Sequence, residues 1–457
     1  MIIHQYYLEC LSHASYLVGD DTSGTAVVID PRRDIAEYVS DATRLGFRIT
    51  HVIETHLHAD FLSGHLELAA ATGASIVFGE AAPVEFEALR LPDGAWIDLG
   101  HVRLQILATP GHTPESICIT AYDSPEATEP TSVFTGDTLF IGDVGRPDLL
   151  ASVGHTADDL ARSLYRSWRE KVMRLPDPVK VYPAHGAGSS CGKNLSTETM
   201  STMGEQRALN YALQPMSEEA FVAMVTEGQP AAPGYFVYDA IKNRKDRDLL
   251  DESKPATALS LAQVDSAVAD GAVIIDTRPA ADFAAGHLAG ALSVGLDGRF
   301  AEYAGSVVAP DRAMVLICDE GAQQEAVIRL ARIGFDNVVG YLESALSVMV
   351  ENPDRVERAS RLTVEQLRDA MHRLPDLQLV DIRNPGELAA GVIAPSISLP
   401  LGTLVTSLDE LDPDRPTVVY CAGGYRSSAG ASLLRAEGFT DVSDLLGGYA
   451  AWEAISA

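Results

Sequence analysis

Short β-branched apolar runs alternate with helical patterns through roughly the last two hundred residues, and this alternation occurs twice. Three landmarks recur in the same order: Val273–Arg278 and Leu379–Arg383, Val315–Cys318 and Val418–Cys421, Gly334–Val338 and Gly438–Val442. Helical patterns cover residues 325–333 and 429–437. Such alternation is typical of βα units around a mostly parallel sheet. We therefore predict an internal duplication, with two small α/β domains at residues 258–350 and 361–457.

Four apolar, β-like runs in the first 250 residues each end in potential metal ligands. The runs cover residues 48–55, 102–110, 132–136 and 179–184. The side chains that follow them are His56, His58, Asp60, His112, Asp137 and His185. A sheet holds the backbone still at its strand ends, while the loops direct the side chains. We therefore expect the six side chains to converge on one metal site in a domain of residues 1–250.

Composition narrows the functions that are open to the chain. A length of 457 residues suggests about three domains, and 46% hydrophobic residues support well-buried cores. The formal net charge of −30 would repel nucleic-acid phosphates and anionic lipids, so we expect neither nucleic acid nor membrane as a partner. The N-terminus has no signal-like pattern and no apolar run is of membrane length, which favours a cytoplasmic protein. Five scattered cysteines fit reduced thiols.

The ligand set resembles that of the metallo-β-lactamase superfamily, whose fold is an αβ/βα sandwich with metals at the sheet edges. In its binuclear hydrolases, the resemblance assigns the first metal to His56, His58 and His112. The second metal would take Asp60, the residue at position 61 and His185, with Asp137 bridging. Position 61 is Phe61, and a phenyl ring has no lone pair to donate.

A single metal held by His56, His112 and Asp137 is the simplest interpretation. Two histidines and one carboxylate form the facial triad of non-haem Fe(II) oxygenases, so we predict one Fe(II) per chain. Within the superfamily this departure resembles the persulfide dioxygenases, which oxidise a thiol persulfide to sulfite and free thiol. That resemblance makes His58, Asp60 and His185 outer residues that orient ligands and water. In the alternative, His65, one helical turn after Phe61, restores a second metal.

Two further residues near the predicted metal site, Arg146 and Cys191, each have two interpretations. Arg146 either steers an anionic persulfide or forms a structural ion pair with Asp148. Cys191 lies in a glycine-rich loop after His185. It is either an inert packed thiol or a sulfur relay whose pKa is lowered by the neighbouring Lys193.

A cysteine loop in the second repeat follows a predicted strand and precedes a helix predicted from about Ser427. Its glycines allow backbone N–H groups to point at the sulfur, the helix N-terminus adds positive potential, and an arginine adds a cation. The loop resembles the rhodanese active-site loop, in which the cysteine carries a persulfide sulfur. The resemblance assigns catalysis to the first and last residues of the loop, and the residues between them to the sulfur cradle: Cys421, Ala422, Gly423, Gly424, Tyr425 and Arg426.

The first repeat departs from this pattern. Cys318 aligns with Cys421, but Gln323 replaces the arginine, and Asp319 and Glu320 stand beside the thiol. Nearby negative charge disfavours the thiolate. We therefore predict that the first rhodanese-like domain is inactive.

Together, the domains resemble persulfide dioxygenase–rhodanese fusions. The resemblance implies a glutathione-, CoA- or cysteine-type low-molecular-weight persulfide, O₂ and sulfite or thiosulfate as reactants, and a role in disposing of sulfide. A binuclear zinc thioester hydrolase resembling glyoxalase II is one alternative, and a non-enzymatic sulfur carrier or persulfide sensor is another. The sequence leaves open the thiol carrier, the direction of sulfur flow and the oligomeric state, a homo-oligomer included.

Overall fold

The computed structural model describes residues 1–149, 154–229 and 231–456. The chain forms two compact units. The N-terminal unit comprises Met1–Pro230 and Phe236–Glu252, and the C-terminal unit comprises Ala231–Tyr235 and Ser253–Ala457. In the described part of the chain, no helix is both long enough and apolar enough to cross a membrane.

The N-terminal unit contains two six-stranded sheets. The first follows chain order, with antiparallel pairs from β1 to β3 and parallel pairs from β3 to β6. Its strands are β1 (Ile2–Leu8), β2 (His13–Asp20), β3 (Thr25–Ile29), β4 (Arg48–Ile53), β5 (Ser75–Gly79) and β6 (Leu89–Leu91). The second sheet has the order β12-β11-β10-β9-β8-β7, and only its β10–β11 pair is parallel. Its strands are β7 (Trp96–Asp98), β8 (Arg103–Ala108), β9 (Ile117–Tyr122), β10 (Ser132–Gly136), β11 (Lys180–Pro183) and β12 (Ser201–Thr202).

The two sheets pack face to face around one apolar core. Buried side chains from both sheets form this core, among them Tyr16, Val27, Ile53, Leu104, Ile119 and Phe134. Helices cover the outer faces: Tyr38 of α1 packs on the first sheet, and Trp168 of α3 packs on the second. The helices are α1 (Ala36–Leu45), α2 (His65–Thr72), α3 (Ala157–Glu170), α4 (Met203–Leu209), α5 (Glu218–Thr226) and α6 (Tyr235–Lys242), with 3₁₀ helices at Val172–Arg174 and Tyr211–Leu213. The predicted αβ/βα sandwich is confirmed.

The C-terminal unit contains the duplicated α/β fold. Two five-stranded parallel sheets have equivalent strand orders, β13-β18-β17-β14-β16 and β20-β24-β23-β21-β22. The strands are β13 (Ala258–Leu259), β14 (Val273–Asp276), β16 (Leu292–Ser293), β17 (Met314–Ile317), β18 (Val338–Leu342), β20 (Ser360–Leu362), β21 (Gln378–Asp381), β22 (Ile397–Ser398), β23 (Thr417–Tyr420) and β24 (Val442–Leu445). A separate antiparallel pair joins β15 (His287–Leu288) and β19 (Val356–Glu357).

Helices follow the strands of the C-terminal unit in both copies, as the alternation of patterns predicts. They are α7 (Leu261–Ala269), α8 (Ala280–Ala285), α9 (Phe300–Val307), α10 (Gln323–Ala331), α11 (Ala345–Glu351), α12 (Val364–Arg373), α13 (Leu401–Leu404), α14 (Tyr425–Ala436) and α15 (Gly448–Ser456). Three 3₁₀ helices lie at Pro353–Arg355, Pro385–Ala390 and Leu408–Glu410.

Each copy also contains the same buried ion pair at the end of a central strand. Arg278 pairs with Asp276 at 2.5 Å, and Arg383 pairs with Asp381 at 2.6 Å. Arg383 also donates to the carbonyl oxygen of Gly391 at 2.7 Å. Because both members of each pair are buried, removing one member leaves the other charge without compensation.

We expect Arg383→Met to lower the free energy of unfolding by about 3–5 kcal/mol, because Asp381 loses its buried partner. Scanning calorimetry of the full chain should show a transition shifted to lower temperature. The matched control is Arg373→Met, since Arg373 forms an ion pair with Asp369 while its side chain is 68% exposed. That control should melt like the unmodified chain, and equal shifts in the two variants would contradict the assignment.

Candidate metal centre and sulfur-transfer loop

The three predicted ligands and the three predicted outer residues of the N-terminal unit all follow strand ends, as expected. β4 ends at Ile53, β8 at Ala108, β10 at Gly136 and β11 at Pro183. Asp30 fixes the start of the first ligand loop, since its carboxylate accepts hydrogen bonds from the Thr55 N–H at 2.7 Å and the Thr55 hydroxyl at 2.8 Å. The strands thus bring residues that are far apart in sequence to one place.

His56, His112 and Asp137 form the first ligand group. One potential ligand atom of each lies within 4.8 Å of the others, and all three residues are buried. The Oδ2 atom of Asp137 is 3.9 Å from His56 Nε2 and 3.4 Å from His112 Nε2. Within the described residues, neither oxygen of Asp137 nor His56 Nε2 has a hydrogen-bond partner. A cation would compensate these atoms, so the residues fit a metal ion.

Neighbouring groups hold both rings of this first group in position. His112 Nδ1 donates to the carbonyl oxygen of Arg146 at 2.8 Å, and His56 Nδ1 lies 3.0 Å from Thr55 Oγ1. Burial, with His58 as the next cause, lowers the pKa of His56 well below its usual value. A neutral imidazole with its outer nitrogen bonded is the form that binds a metal through the other nitrogen.

His58, Asp60 and His185 form a second group of potential ligands, again within 4.8 Å of one another. His185 Nε2 is 3.5 Å from Asp60 Oδ2. His58 is shared with a third group, because its Nε2 lies 3.2 Å from Asp30 Oδ1 and 3.5 Å from Glu54 Oε2. Burial disfavours the charged form of His58, but Asp30 and Glu54 outweigh it and raise the pKa to about 9.

Phe61 is fully buried beside this second group and provides no ligand. Its ring centroid lies 4.3 Å from that of His58 and 4.1 Å from that of His13. His13, the first residue of β2, is a buried imidazole that sequence reasoning missed, since it follows no strand and belongs to no motif. Its backbone pairs with that of His185 in an isolated bridge.

His65 does not take the place of the missing ligand. It is the first residue of α2, its Nδ1 lies 3.1 Å from Glu54 Oε1, and its ring stacks on Phe86 at 4.9 Å between centroids. It belongs to none of the ligand groups found among the described residues. The structure therefore gives no support to a second metal restored by His65.

The Arg146 side chain forms the ion pair with Asp148 that is one of its two predicted interpretations. Its guanidinium donates to both oxygens of Asp148, at 2.7 and 2.6 Å, and to the Ser190 carbonyl oxygen at 3.0 Å. The side chain is 3% exposed. The Arg146 side chain therefore links the segments that contain Asp148 and Ser190.

Lys193 does not activate Cys191. Its ammonium donates to the carbonyl oxygens of Met224 at 2.6 Å and Glu227 at 2.9 Å. Burial, followed by the charges of Asp60 and Asp137, raises the pKa of Cys191 well above its usual value. The pair therefore lacks the cation–thiolate contact that the relay interpretation requires.

Cys421 of the C-terminal unit lies directly between β23 and α14. The Gly424 N–H donates to Cys421 Sγ at 3.1 Å, and the thiol donates to Ser427 Oγ at 3.6 Å. Gly424 has φ of +95°, which glycine adopts without strain, and α14 therefore begins at Tyr425, two residues before the predicted start. Gly448 is required as well, since a Cβ there would lie 2.3 Å from the Cys421 carbonyl oxygen.

Arg426 is paired with a residue that sequence reasoning missed. Its two terminal nitrogens donate to the two oxygens of Glu387, each at 2.7 Å. Glu387 lies 39 positions earlier in the chain, and no motif marked it. The positive charge of the Arg426 guanidinium at the rim of the loop is therefore largely neutralised by the Glu387 carboxylate of the same domain.

The electrostatic environment of Cys318 differs from that of Cys421. Burial, with Asp276 and Asp319 adding to it, raises the pKa of Cys318 to about 11. The cavity beside this thiol is lined by acidic side chains, including Glu320 and Glu343. A thiolate is therefore disfavoured at this position.

A cavity of about 420 Å³ borders the first ligand loop of the N-terminal unit. Leu57 and Ala59, which alternate with His56 and His58, contribute to one wall. The lining is mostly apolar, including Pro114, Phe236, Ala240 and Ile241, with Glu115, His155 and Arg244 as polar members. A mostly apolar cavity with a few polar groups is typical of small-molecule sites.

Comparison with known proteins agrees with this architecture. The Metallo-beta-lactamase superfamily profile matches residues 8–185, and the Rhodanese-like domain profile matches residues 260–350 and 363–455. The chain is 33% identical over 221 residues to human "Persulfide dioxygenase ETHE1, mitochondrial", covering 48% of this chain and 78% of that protein. It is 34% identical over 174 residues to a hydroxyacylglutathione hydrolase of Polaromonas sp., covering 37% of this chain and 61% of that protein.

The crystal structure of a metallo-beta-lactamase from Staphylococcus aureus subsp. aureus COL matches with a TM-score of 0.67 and 32% identity. The match covers 74% of this chain and 98% of that chain. The chain therefore belongs to the metallo-beta-lactamase superfamily and carries two C-terminal rhodanese-like domains. The predicted order, a domain related to persulfide dioxygenases followed by two rhodanese-like domains, is confirmed.

We expect His112→Ala to reduce metal affinity by more than the roughly 10–100-fold that loss of an outer hydrogen-bond partner costs, because a direct ligand is removed. Elemental analysis of the purified, dialysed chain measures the bound metal. The matched control is His101→Ala, an exposed histidine outside the ligand groups. Full metal content in the His112 variant would contradict the first ligand group.

Alkylation should follow the pKa of Cys318. Because that pKa is about 11, only about one molecule in ten thousand carries the thiolate at pH 7, and the labelling rate should rise about tenfold per pH unit until about pH 11. Mass spectrometry of the Cys318 peptide after brief iodoacetamide treatment measures this, with Cys318→Ser as the blank. A rate that levels off below pH 9 would show an activated thiol instead.

Proposed function

We propose that the chain is a non-haem Fe(II) persulfide dioxygenase coupled to a rhodanese sulfurtransferase, with a role in sulfide detoxification. The observation that carries this proposal is the group of three buried ligands, His56, His112 and Asp137. The similarity to a persulfide dioxygenase supports it. In the overall reaction a thiol persulfide, dioxygen and water become a free thiol and sulfite.

One Fe(II) held by two imidazoles and one carboxylate would leave coordination positions open, at which dioxygen and the persulfide sulfur are activated. The chain prepares the ligands for this role. The Arg146 carbonyl holds the His112 proton on Nδ1 and leaves Nε2 as the ligand. We further propose that Asp60 and His185 orient water at the site, since His185 donates its Nδ1 proton to the Ser12 carbonyl oxygen at 3.2 Å.

We propose that the organic part of the persulfide lies in the 420 Å³ cavity beside the ligand loop. Its apolar wall would contact the aliphatic part of a glutathione-, CoA- or cysteine-type thiol. Arg244 and His155 can pair with the carboxylate or phosphate that such thiols carry. The reactive sulfur would then approach the loop that holds His56 and His58.

Cys421 would carry the transferred sulfur in the second reaction. In one direction, Cys421 takes sulfane sulfur from a persulfide and passes it to sulfite, which yields thiosulfate. In the other direction, it takes sulfur from thiosulfate and releases sulfite, and a thiol then receives the sulfur as a persulfide for the iron site. The hydrogen bond from the Gly424 N–H to Sγ supports an anionic sulfur in both directions.

A zinc thioester hydrolase is the second candidate function. It is favoured by the second ligand group, His58, Asp60 and His185, and by similarity to hydroxyacylglutathione hydrolases. Against it, Phe61 withholds a ligand, and His58 is paired with Asp30 and Glu54. Elemental analysis separates the two, because a binuclear hydrolase holds two zinc ions per chain and the proposed dioxygenase holds one iron.

Two single substitutions should separate the two reactions. We expect His112→Ala to abolish oxygen uptake with glutathione persulfide and to retain thiosulfate sulfurtransfer, while Cys421→Ser should do the opposite. Each loss should exceed about a hundredfold, because each variant removes a group that acts directly in the chemistry. An oxygen electrode and a thiocyanate assay measure the two activities in the full chain.

A control variant and a test with several persulfides complete this experiment. Cys318→Ser should retain both activities, since Cys318 lies in the copy predicted to be inactive. A non-enzymatic sulfur carrier would consume no oxygen at all, so absence of uptake by the iron-loaded chain with glutathione, CoA and cysteine persulfides would overturn the dioxygenase. Loss of both activities in both variants would refute independent sites.

A further inference from the structure

The first rhodanese-like copy packs against the helix that starts at the Cys421 loop. The Ser293 N–H donates to Ser432 Oγ at 2.8 Å, and Ser293 Oγ shares a hydrogen bond with Ser428 Oγ, also at 2.8 Å. All three serines are buried. Buried polar contacts of this kind define a specific arrangement, so β16 of the first copy fixes α14 of the second.

Two tyrosines meet beside the sulfur loop. Tyr425, within the loop, donates its hydroxyl proton to the carbonyl oxygen of Gly295 in the first copy. The ring of Tyr303, from α9 of the first copy, lies 5.1 Å from the ring of Tyr425 between centroids. A phenol from the copy with the unreactive cysteine therefore stands next to the loop of the reactive one.

The Tyr303 hydroxyl remains available as a hydrogen-bond donor. Among the described residues, no side-chain hydrogen bond is made by Tyr303. Burial, followed by Glu302, raises its pKa, while Arg426 lowers it and Cys421 raises it. The phenol is thus close enough to both loop residues to respond to their charges, and it keeps its proton at neutral pH.

Two of the donors at the loop already have partners. Arg426 is bound through both terminal nitrogens to Glu387, and the Gly424 N–H points at the sulfur. A sulfur oxyanion brings up to three oxygens in addition to the sulfur. Those oxygens need further donors beside these two.

We propose that Tyr303 of the first rhodanese-like copy donates a hydrogen bond to the oxygens of thiosulfate or sulfite at Cys421, and so sets specificity for inorganic sulfur oxyanions. This inference rests on the proposed sulfur transfer at Cys421. It gives the first copy a function that its own cysteine does not provide, because it completes the binding site of the second copy.

The step that Tyr303 assists conserves atoms and charge. The Cys421 thiolate attacks the outer sulfur of thiosulfate, and a new sulfur–sulfur bond forms as the bond within thiosulfate breaks. The electron pair of the broken bond leaves with sulfite, and Cys421 carries the persulfide. In the reverse direction, sulfite attacks the outer sulfur of that persulfide. The oxygens that the phenol contacts are present in both directions.

Tyr303→Phe tests the inference with two sulfur donors. With thiosulfate as donor and cyanide as acceptor, we expect kcat/KM to fall about tenfold or more, mostly through KM, because a hydrogen bond to an anion is lost. With glutathione persulfide as donor and cyanide again as acceptor, kcat/KM should change by less than about twofold, because this donor has no sulfonate oxygens. The matched control is Tyr341→Phe, a phenol beside the Cys318 loop, which should change neither reaction.

The two donors distinguish binding from architecture. An equal loss with both donors would show that Tyr303 only supports the loop and would overturn the inference, as would no loss with either. Arg329→Met removes another side chain of the first copy, which donates to the carbonyl oxygens of Leu296 and Gly298 and to Glu325 and lies over the Phe300 ring. This variant weakens the first copy without removing Tyr303. It should therefore change the reactions with thiosulfate and with glutathione persulfide equally.

A binding measurement separates this inference from the sulfur-transfer proposal. Thiosulfate is titrated calorimetrically into Cys421→Ser and into Cys421→Ser/Tyr303→Phe, neither of which can turn over. We expect about tenfold weaker binding in the double variant. Equal dissociation constants would overturn the inference. Tyr303-dependent binding together with no turnover by the unmodified chain would instead overturn the sulfur-transfer proposal and leave the oxyanion site standing.

Discussion

The N-terminal unit depends on the compensation of buried ligand atoms. Asp137 and His56 carry acceptor atoms that are shielded from water and have no donor among the described residues. A buried polar atom without a partner costs on the order of 1–3 kcal/mol, and more when it is charged. Strands from both sheets bring these atoms together. The packing that forms the sandwich therefore also places uncompensated acceptor atoms side by side, where a cation would stabilise them. A bound cation would therefore stabilise the folded state of this unit.

The surroundings of the ligands determine how many metals this arrangement favours. His112 has its outer nitrogen bonded to a carbonyl, which leaves the inner nitrogen free. His58, only two residues from His56, is instead shared with the carboxylates of Asp30 and Glu54. Phe61 fills the adjoining space with a ring that cannot coordinate. Histidines at one site thus have different capacities to bind a metal, because their hydrogen-bond and ion-pair partners differ.

The C-terminal unit shows the same principle in a duplicated fold. The two copies have equivalent sheets and the same buried Asp–Arg pair, yet Cys318 faces carboxylates while Cys421 faces a backbone N–H group. The two copies share the packing and differ in the charge around the thiol. Because the buried serine contacts hold the copies together, the copy that contains Cys318 contributes to the environment of the Cys421 loop.

Much of the architecture was predictable from local patterns. Strand ends before His56, His112, Asp137 and His185 were located within one or two residues, because apolar runs report burial directly. The six metal-site candidates and the Cys421 loop follow from spacing along short segments. The start of α14 was misplaced by two residues, since the positive φ of Gly424 lets the helix begin inside the loop.

By itself, the sequence determined the fold class, the duplication and the set of side chains able to bind a metal or sulfur, since these depend on periodicity and on residue chemistry. Only the tertiary structure decided which of them have partners. In the structure Arg146 pairs with Asp148, the Lys193 ammonium binds backbone carbonyls and His65 contacts Glu54. His13, Glu387 and Tyr303, which no motif marks, lie beside the candidate sites. The reason is physical: the pKa, charge and hydrogen-bonding capacity of a buried group depend on neighbours that are distant in sequence.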